Sequence, residues 1–142
     1  MAENIGTYIV SVRVQSKLLG SPVLTLNLVV EAASGRVVGM GDITQAVTPE
    51  APQVHVTQVT GQINYGGFTG DPDQLFVHLI GDYVWSAPPP AIGTFQGPFS
   101  AALAVSRSWS GTGSFVYGRH HVADCVVGNI SPGSTDNGSS AG

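Results

Sequence analysis

Apolar and polar residues alternate with a period of two along most of the chain, and this alternation limits the possible folds more than any other feature. The clearest runs cover residues 8–14, 24–30 and 75–85. A β-strand points successive side chains to opposite faces, so each run predicts a strand with one buried face. No helical periodicity persists along the chain. The sequence therefore predicts an all-β protein.

Turn-forming residues divide the chain into seven or eight such strands, since it contains 19 glycines and nine prolines. Strands joined mostly by short connections form an antiparallel meander, which either closes as a barrel or folds into a sandwich. Gly39 and Gly41 lie inside one strand, where glycine usually marks a bulge, tight curvature or a close neighbouring backbone. These features are common in curled sheets, so we expect a barrel, with a β-sandwich as the alternative.

Two further patterns fix details of the strands. In the segment 53–65 the apolar positions change from even numbers, Val54 and Val56, to odd ones, Val59, Ile63 and Tyr65. This phase change predicts a bulge near Thr57 or Gln58. The strand that contains residues 99–105 is expected to run on to Trp109, with a turn over 110–113.

The composition predicts one domain, residues 1–128, followed by a tail. Residues 129–142 are mostly Ser, Gly, Pro, Asn and Asp and carry little apolar surface. Such a segment does not bury enough to order itself, so we expect disorder from about Ser131 onward.

The charge pattern argues against several classes of partner. Charged residues make up only 10% of the chain, its net charge is −4, and it contains no basic stripe. Nucleic acids and anionic membranes are bound through clustered cations, so neither is an expected partner. No apolar run approaches the roughly 20 residues of a membrane-spanning helix. A surface so poor in charge repels its own copies weakly, and weak self-association is therefore expected.

The first residues show no basic region followed by an apolar one, as a secretion leader would. The expected location is the cytoplasm, while export without a leader stays open.

The stretch YGRHHVAD, residues 117–124, is the most conspicuous candidate for chemistry. His120 and His121 are adjacent, and neighbours in a strand point to opposite faces, so the two imidazoles do not share one metal ion. Alternation would place Cys125 on the His121 face, as a small buried residue. Metal ligands would have to come from other strands, and the candidates are His55, His78 and Asp82. We expect no metal, no cofactor, one solvated imidazole and one packed imidazole.

The predicted domain, residues 1–128, shows no recognisable enzyme motif. A Gly-x-Ser-x-Gly pattern occurs only as GSSAG, residues 138–142, in the tail, where no strand or helix is predicted to support a nucleophile, and Asp71 and Asp73 flank Pro72 as an ordinary turn. We therefore expect a protein that is not an enzyme, although a site assembled from distant strands is an alternative.

Aromatic residues near strand ends give the best candidates for a binding site. Tyr83 and Trp85 end the longest alternating run, Pro89 lies in the adjoining proline run, and Trp109 precedes a turn. Flat aromatic faces beside polar groups hold sugars and peptides. The alternative is that Trp85 and Trp109 continue the buried faces of their strands.

The leading prediction is a non-catalytic binding module for an unknown protein or carbohydrate partner. A second hypothesis is a barrel that carries a small apolar ligand in its interior.

Two segments also resemble a known family. SPVLTLNLVV, residues 21–30, and GRVVGMGDITQA, residues 35–46, are similar to a family of small proteobacterial all-β domains of unknown function. The resemblance covers roughly residues 5–127. It implies a bacterial source and a compact β domain, and it assigns no functional residue.

Overall fold

The computed structural model describes residues 6–18, 20–44, 54–65, 73–86 and 93–131, and these residues form a closed barrel. The strands are β1 (Thr7–Ser16), β2 (Val23–Glu31), β3 (Arg36–Thr44), β4 (Val54–Tyr65), β5 (Gln74–Ser86), β6 (Thr94–Ser106), β7 (Gly111–Tyr117) and β8 (His120–Asn129). Each strand pairs antiparallel with the next in chain order, and β8 pairs with β1. The predicted all-β meander and barrel are confirmed, and the sandwich alternative is wrong.

The up-and-down order gives the barrel two ends. The Tyr83 end carries the β1–β2 connection, residues 17–22, and the β7–β8 turn, residues 118–119. The Trp109 end carries the β2–β3 turn, residues 32–35, and the β6–β7 turn, residues 107–110. Within the described residues, no helix has the length and hydropathy that a membrane crossing requires.

Aliphatic side chains fill the interior of the barrel. The fully buried positions alternate along the strands as the sequence predicts, and the largest of them are Phe115, Leu24, Leu26, Leu28, Leu79 and Leu103. Burying one such side chain contributes about 1.5–3 kcal/mol to stability. The core therefore needs no ligand to complete it.

Gly39 and Gly41 allow β3 to approach β2 closely. A Cβ atom on Gly39 would lie 2.1 Å from the carbonyl oxygen of Asn27 and 2.9 Å from Leu28 Cδ2. The pairing register of β3 with β4 also shifts between these two glycines. Glycine here thus marks both a close neighbour and a bulge, as the sequence predicts.

The extra residue of this bulge lies on β4. Gly39 pairs with Val59, whereas Gly41 pairs with Val56, so Thr57 and Gln58 together oppose one residue of β3. The β4–β5 register shifts at the same place, between Val56 and Gln58. The predicted bulge is confirmed, and it turns Val54 and Val56 as well as Val59 and Ile63 toward the interior. The prediction that Tyr65 shares this buried face is wrong, because Tyr65 ends the strand, is 45% exposed and donates its hydroxyl proton to the carbonyl of Ala32 in the β2–β3 turn.

The predicted boundary between β6 and β7 is wrong. β6 ends at Ser106 and β7 already begins at Gly111, so the turn covers residues 107–110. Trp109 is in this turn with a φ of 63°, and its backbone N–H donates to the carbonyl of Ser106 at 2.9 Å. A bulky residue with positive φ is uncommon, and the alternation of β6 gave no sign of it.

The last strand extends slightly past the predicted end of the domain. Asn129 belongs to β8, and the N–H of Ile130 donates to the carbonyl of Ser11 at 2.8 Å. The Ser131 hydroxyl accepts a hydrogen bond from the N–H of Ser11 at 2.8 Å. Residues 132–142, where the tail was predicted to be disordered, lie outside the described residues.

We expect Gly39→Ala to lower the free energy of unfolding by roughly 1–3 kcal/mol, because the new methyl group would overlap the backbone of β2. Urea denaturation measures this change. Gly128→Ala is the matched control, since a Cβ there meets no atom within 4 Å, and it should be neutral or slightly stabilising. Equal stability of the two variants would contradict the proposed role of Gly39.

Candidate ligand-binding site

The β7–β8 hairpin places three candidate side chains together at the Tyr83 end. Tyr117 pairs directly with His120, so the turn contains only Gly118 and Arg119. Gly118 has a φ of 61°, whereas the φ of Arg119 is not positive, a combination typical of a type II′ turn with glycine first. Arg119 therefore lies at the tip of the hairpin. The rings of Tyr117 and His120 stack beneath it, with centroids 4.8 Å apart.

His120 and His121 belong to opposite faces of β8, as predicted. His120 is opposite Tyr117, which is buried, and His121 is opposite Val116. Among the described residues, no three His, Cys, Asp or Glu side chains are grouped closely enough to hold a metal ion. Elsewhere on the barrel, His55 Nδ1 contacts the carboxylate of Asp42 at 2.5 Å.

Cys125 does not follow the predicted alternation. Asp124 has a φ of 55°, and the β7–β8 register shifts beside it, which marks a bulge in β8. Val122 and Cys125 consequently both point into the core, where Cys125 is 1% exposed. The prediction that Cys125 shares the face of His121 is wrong for this reason, while its prediction as a buried residue is confirmed.

Two glycines, Gly97 in β6 and Gly118 in the β7–β8 turn, leave space for the ring of Tyr83. A Cβ atom on Gly97 would lie 2.6 Å from Tyr83 Cε1, and one on Gly118 would lie 2.5 Å from Tyr83 Oη. The Tyr83 ring also meets the Tyr117 ring edge to face, with centroids 5.8 Å apart. Tyr83 is thus held by β6, β7 and the β7–β8 turn, a geometry favourable for aromatic pairs.

A pocket of about 680 Å³ opens beside these rings. Its lining comes from the Tyr83 end of the barrel only. The lining residues are Ser16, Leu18, Ser21 and Pro22 of the β1–β2 connection, Val54, Tyr83, Trp85 and Tyr117 at the ends of β4, β5 and β7, and residues 119–123. We call it the Tyr83 pocket. Its volume falls within the range of small-molecule sites, about 300–1,000 Å³.

The stagger of the closing strands explains where the pocket lies. β1 ends at Ser16 opposite Cys125, while β8 begins five residues earlier, at His120. Residues 120–124 therefore extend past β1 and face the β1–β2 connection across the pocket. Such a stagger is a normal consequence of closing tilted strands into a barrel.

The pocket presents hydrogen-bond donors that lack acceptors in the described part of the chain. Tyr117 is only 7% exposed, yet its hydroxyl has no protein partner there, and neither has that of Tyr83. Burial, and secondarily the neighbouring Tyr83, raises the pKa of the Tyr117 phenol. Tyr117 consequently stays protonated at neutral pH and keeps a proton to donate. Buried polar groups without partners are rare in folded proteins and call for an explanation.

The structure brings together two of the four predicted contact residues. Tyr83 and Trp85 line the same pocket and pack against the core, so Trp85 also continues the buried face of β5. Pro89 lies outside the described residues. Trp109 is at the other end of the barrel, 2% exposed, and its Nε1 donates to the Tyr8 hydroxyl at 3.2 Å.

Sequence reasoning missed Tyr117 and Arg119 as members of the site. The sequence feature that could have identified them is Gly118, because a glycine between two alternating runs indicates a two-residue hairpin turn. A hairpin at that point pairs Tyr117 with His120 and places Arg119 at the tip. That these residues face Tyr83, on a strand not paired with β7, follows only from the curvature of the barrel.

Comparison with known protein families identifies the family of the chain. The sequence model of a family described as "Domain of unknown function (DUF1842)" matches residues 5–121, which is most of the described barrel. No curated protein matches the chain. The match agrees with the resemblance to a family of unknown function, while the bacterial source stays a prediction.

We expect the Cys125 thiol to be unreactive in the folded protein. Burial, and secondarily Asp124, raises its pKa above the ordinary value near 9. At pH 8, reaction with a disulfide reagent should be roughly a hundredfold slower in native than in denatured protein, because the reactive thiolate is both rare and shielded. Labelling of the native protein as fast as the denatured protein would contradict this expectation.

The raised pKa of Cys125 also predicts a pH dependence of stability, because the folded state holds the thiol proton more tightly than the unfolded state. Stability should therefore be unaffected below pH 9 and decline as the pH rises through the folded pKa. Urea denaturation at a series of pH values measures this decline, and constant stability across the alkaline range would contradict it.

We expect Gly118→Ala to destabilise the β7–β8 hairpin by about 1–2 kcal/mol, because alanine is strained at positive φ. It should also displace the Tyr83 ring, which changes the near-ultraviolet circular dichroism of the aromatic cluster. Gly118→Asn separates the two effects, since asparagine tolerates positive φ but carries the same Cβ. An unchanged aromatic spectrum in both variants would argue against contact between Tyr83 and the turn.

Proposed function

We propose that this domain is a non-catalytic binding module that holds a small ligand in the Tyr83 pocket. The chain belongs to the DUF1842 family, whose function is unknown. One observation carries the proposal. The Tyr117 phenol is buried and has no hydrogen-bond partner in the described residues, and it borders a pocket large enough for a small molecule. A ligand acceptor would satisfy this donor.

The aromatic lining supports the same role. Tyr83, Trp85 and Tyr117 give the pocket broad apolar faces, and His120 stacks on Tyr117 at its rim. Pockets that bind small molecules combine such faces with a few polar groups that orient the ligand. Because Tyr83 and Tyr117 are fixed by packing in the barrel, little conformational entropy is lost when a ligand binds.

The packed interior favours this arrangement over a ligand enclosed within the barrel. Leu26, Leu28, Leu79 and Leu103 are fully buried at the centre, and they occupy the space that an enclosed ligand would need. A module with a filled core and a pocket at one end fits the described residues better. The hypothesis of an interior apolar carrier therefore ranks second.

A thermal-shift screen tests the proposal. The panel holds neutral aromatic compounds, aromatic carboxylates, sugars, fatty acids and nucleotides. A ligand at 100 times its Kd stabilises the protein by about 2.7 kcal/mol, which raises the Tm by roughly 5–10 °C for a chain of this length. We expect at least one aromatic compound to produce such a shift.

Pocket-filling variants locate the site. Ser21→Trp and Ala123→Trp each place a large side chain at the rim of the pocket, outside the core. Either should abolish the ligand-induced shift while the Tm of the free protein stays near the wild-type value. Thr112→Trp, on the exposed face of β7, is the matched control and should keep the shift.

If no compound of the panel shifts the Tm of the wild-type protein, a small-ligand role is wrong and a protein partner becomes the better hypothesis.

A further inference from the structure

We propose that the ligand of the Tyr83 pocket is a small aromatic anion, such as an aromatic carboxylate, whose negative charge is bound by Arg119. This inference rests on the proposed binding function and adds the chemical class of the ligand. It follows from the charges and the hydrogen-bonding groups that the pocket gathers.

The lining residues carry positive and neutral groups only. Arg119 and the two imidazoles of His120 and His121 line the pocket, and no Asp or Glu is among the described lining residues. This is unusual for a chain with nine acidic residues and five Lys plus Arg. Two acidic residues adjoin lining residues in the sequence, Asp82 beside Tyr83 and Asp124 beside Ala123, and neither belongs to the lining.

Arg119 is also free to bind a ligand. Within the described residues its guanidinium has no ion pair and no hydrogen bond, unlike Arg107, which contacts Asp73 at 3.5 Å. Guanidinium offers two parallel N–H donors that match the two oxygens of a carboxylate, and such charge-assisted pairs are among the strongest hydrogen bonds in proteins. The type II′ turn fixes the backbone of Arg119 at the rim, beside the rings.

The remaining polar side chains of the pocket are hydroxyls and imidazoles, and each of them is able to donate a proton to the same anion. The hydroxyls of Tyr83 and Tyr117 lack partners in the described residues, and the raised pKa of Tyr117 keeps its proton in place. A neutral imidazole such as that of His120 presents one N–H as well. A negatively charged, acceptor-rich group satisfies all of these donors, whereas a ligand that is itself a cation satisfies none.

An aromatic ligand body follows from the shape of the lining. Tyr83 and Tyr117 already pack edge to face, and Trp85 adds a third aromatic side chain. Sugars would also stack here, but their many hydroxyl groups need several acceptors, and the described lining offers hydroxyl oxygens without a carboxylate or carboxamide. The lining therefore favours a flat ring with an anionic group over a carbohydrate.

The test uses a matched pair of probes, 2-naphthoate and 2-naphthamide, which share one ring system and differ in the charge of the head group. Isothermal titration measures both affinities for the full-length protein. We expect 2-naphthoate to bind at least about tenfold more tightly than 2-naphthamide, because a charge-assisted hydrogen bond is stronger than one to a neutral carbonyl. Arg119→Gln should remove this preference, with a larger loss of affinity for 2-naphthoate than for 2-naphthamide, because the amide carbonyl accepts only the weaker bond from the guanidinium. Arg36→Gln, which removes the same charge at the Trp109 end, is the control and should retain the preference.

Each outcome separates this inference from the proposed function. Equal affinities of the two probes for the wild-type protein would overturn the anionic ligand class and leave the binding role intact. A preference for 2-naphthoate that survives Arg119→Gln, or that is lost equally in Arg36→Gln, would overturn the role of Arg119. Binding of neither probe, together with a silent thermal-shift panel, would overturn the proposed function itself.

Discussion

Pairing between β1 and β8 closes the sheet, and the other features of the structure depend on it. The two strands pair from Val12 with Asn129 to Ser16 with Cys125, a shorter ladder than most others in the barrel. Without this ladder, both strands would be sheet edges with open backbone groups, which is a liability for a chain of such low charge. Closure also encloses the alternating apolar faces of all eight strands in one core.

The stagger of that closure produces the pocket. Because β8 begins at His120 and pairs with β1 only from Cys125 onward, its first residues stand apart from the β1–β2 connection. The interior positions nearest this gap carry Tyr83, Trp85 and Tyr117 in place of the aliphatic residues found deeper in the barrel. The Tyr83 pocket is thus the place where the packing of the core gives way to larger side chains with polar tips.

The two ends of the barrel use tryptophan differently. At one end, Trp109 points inward from a turn and donates its indole N–H to Tyr8, so it is part of the core. At the other end, Trp85 is partly buried and borders the pocket. In the sequence, both tryptophans continue an alternating apolar run, Trp85 that of residues 75–83 and Trp109 that of residues 99–105, and sequence alone does not separate these roles. The difference arises because the turn at Trp109 closes over its end of the barrel.

The sequence by itself determined the strands, their buried faces and the bulge at Thr57 and Gln58, because alternation and its phase are local properties of a β-strand. It also placed Tyr83 and Trp85 at the end of the longest strand, and the glycines of β3 favoured a barrel over a sandwich. The bulge at Asp124 escaped it, because Val126 continues the even-numbered run from Val122 while Cys125 and Val127 form an odd-numbered one, so the residues alone do not show which phase is buried. Only the tertiary structure decided that Tyr117, Arg119 and His120 join Tyr83 and that Trp109 does not. Those contacts depend on the curvature and stagger of the closed sheet, which couple strands far apart in the chain.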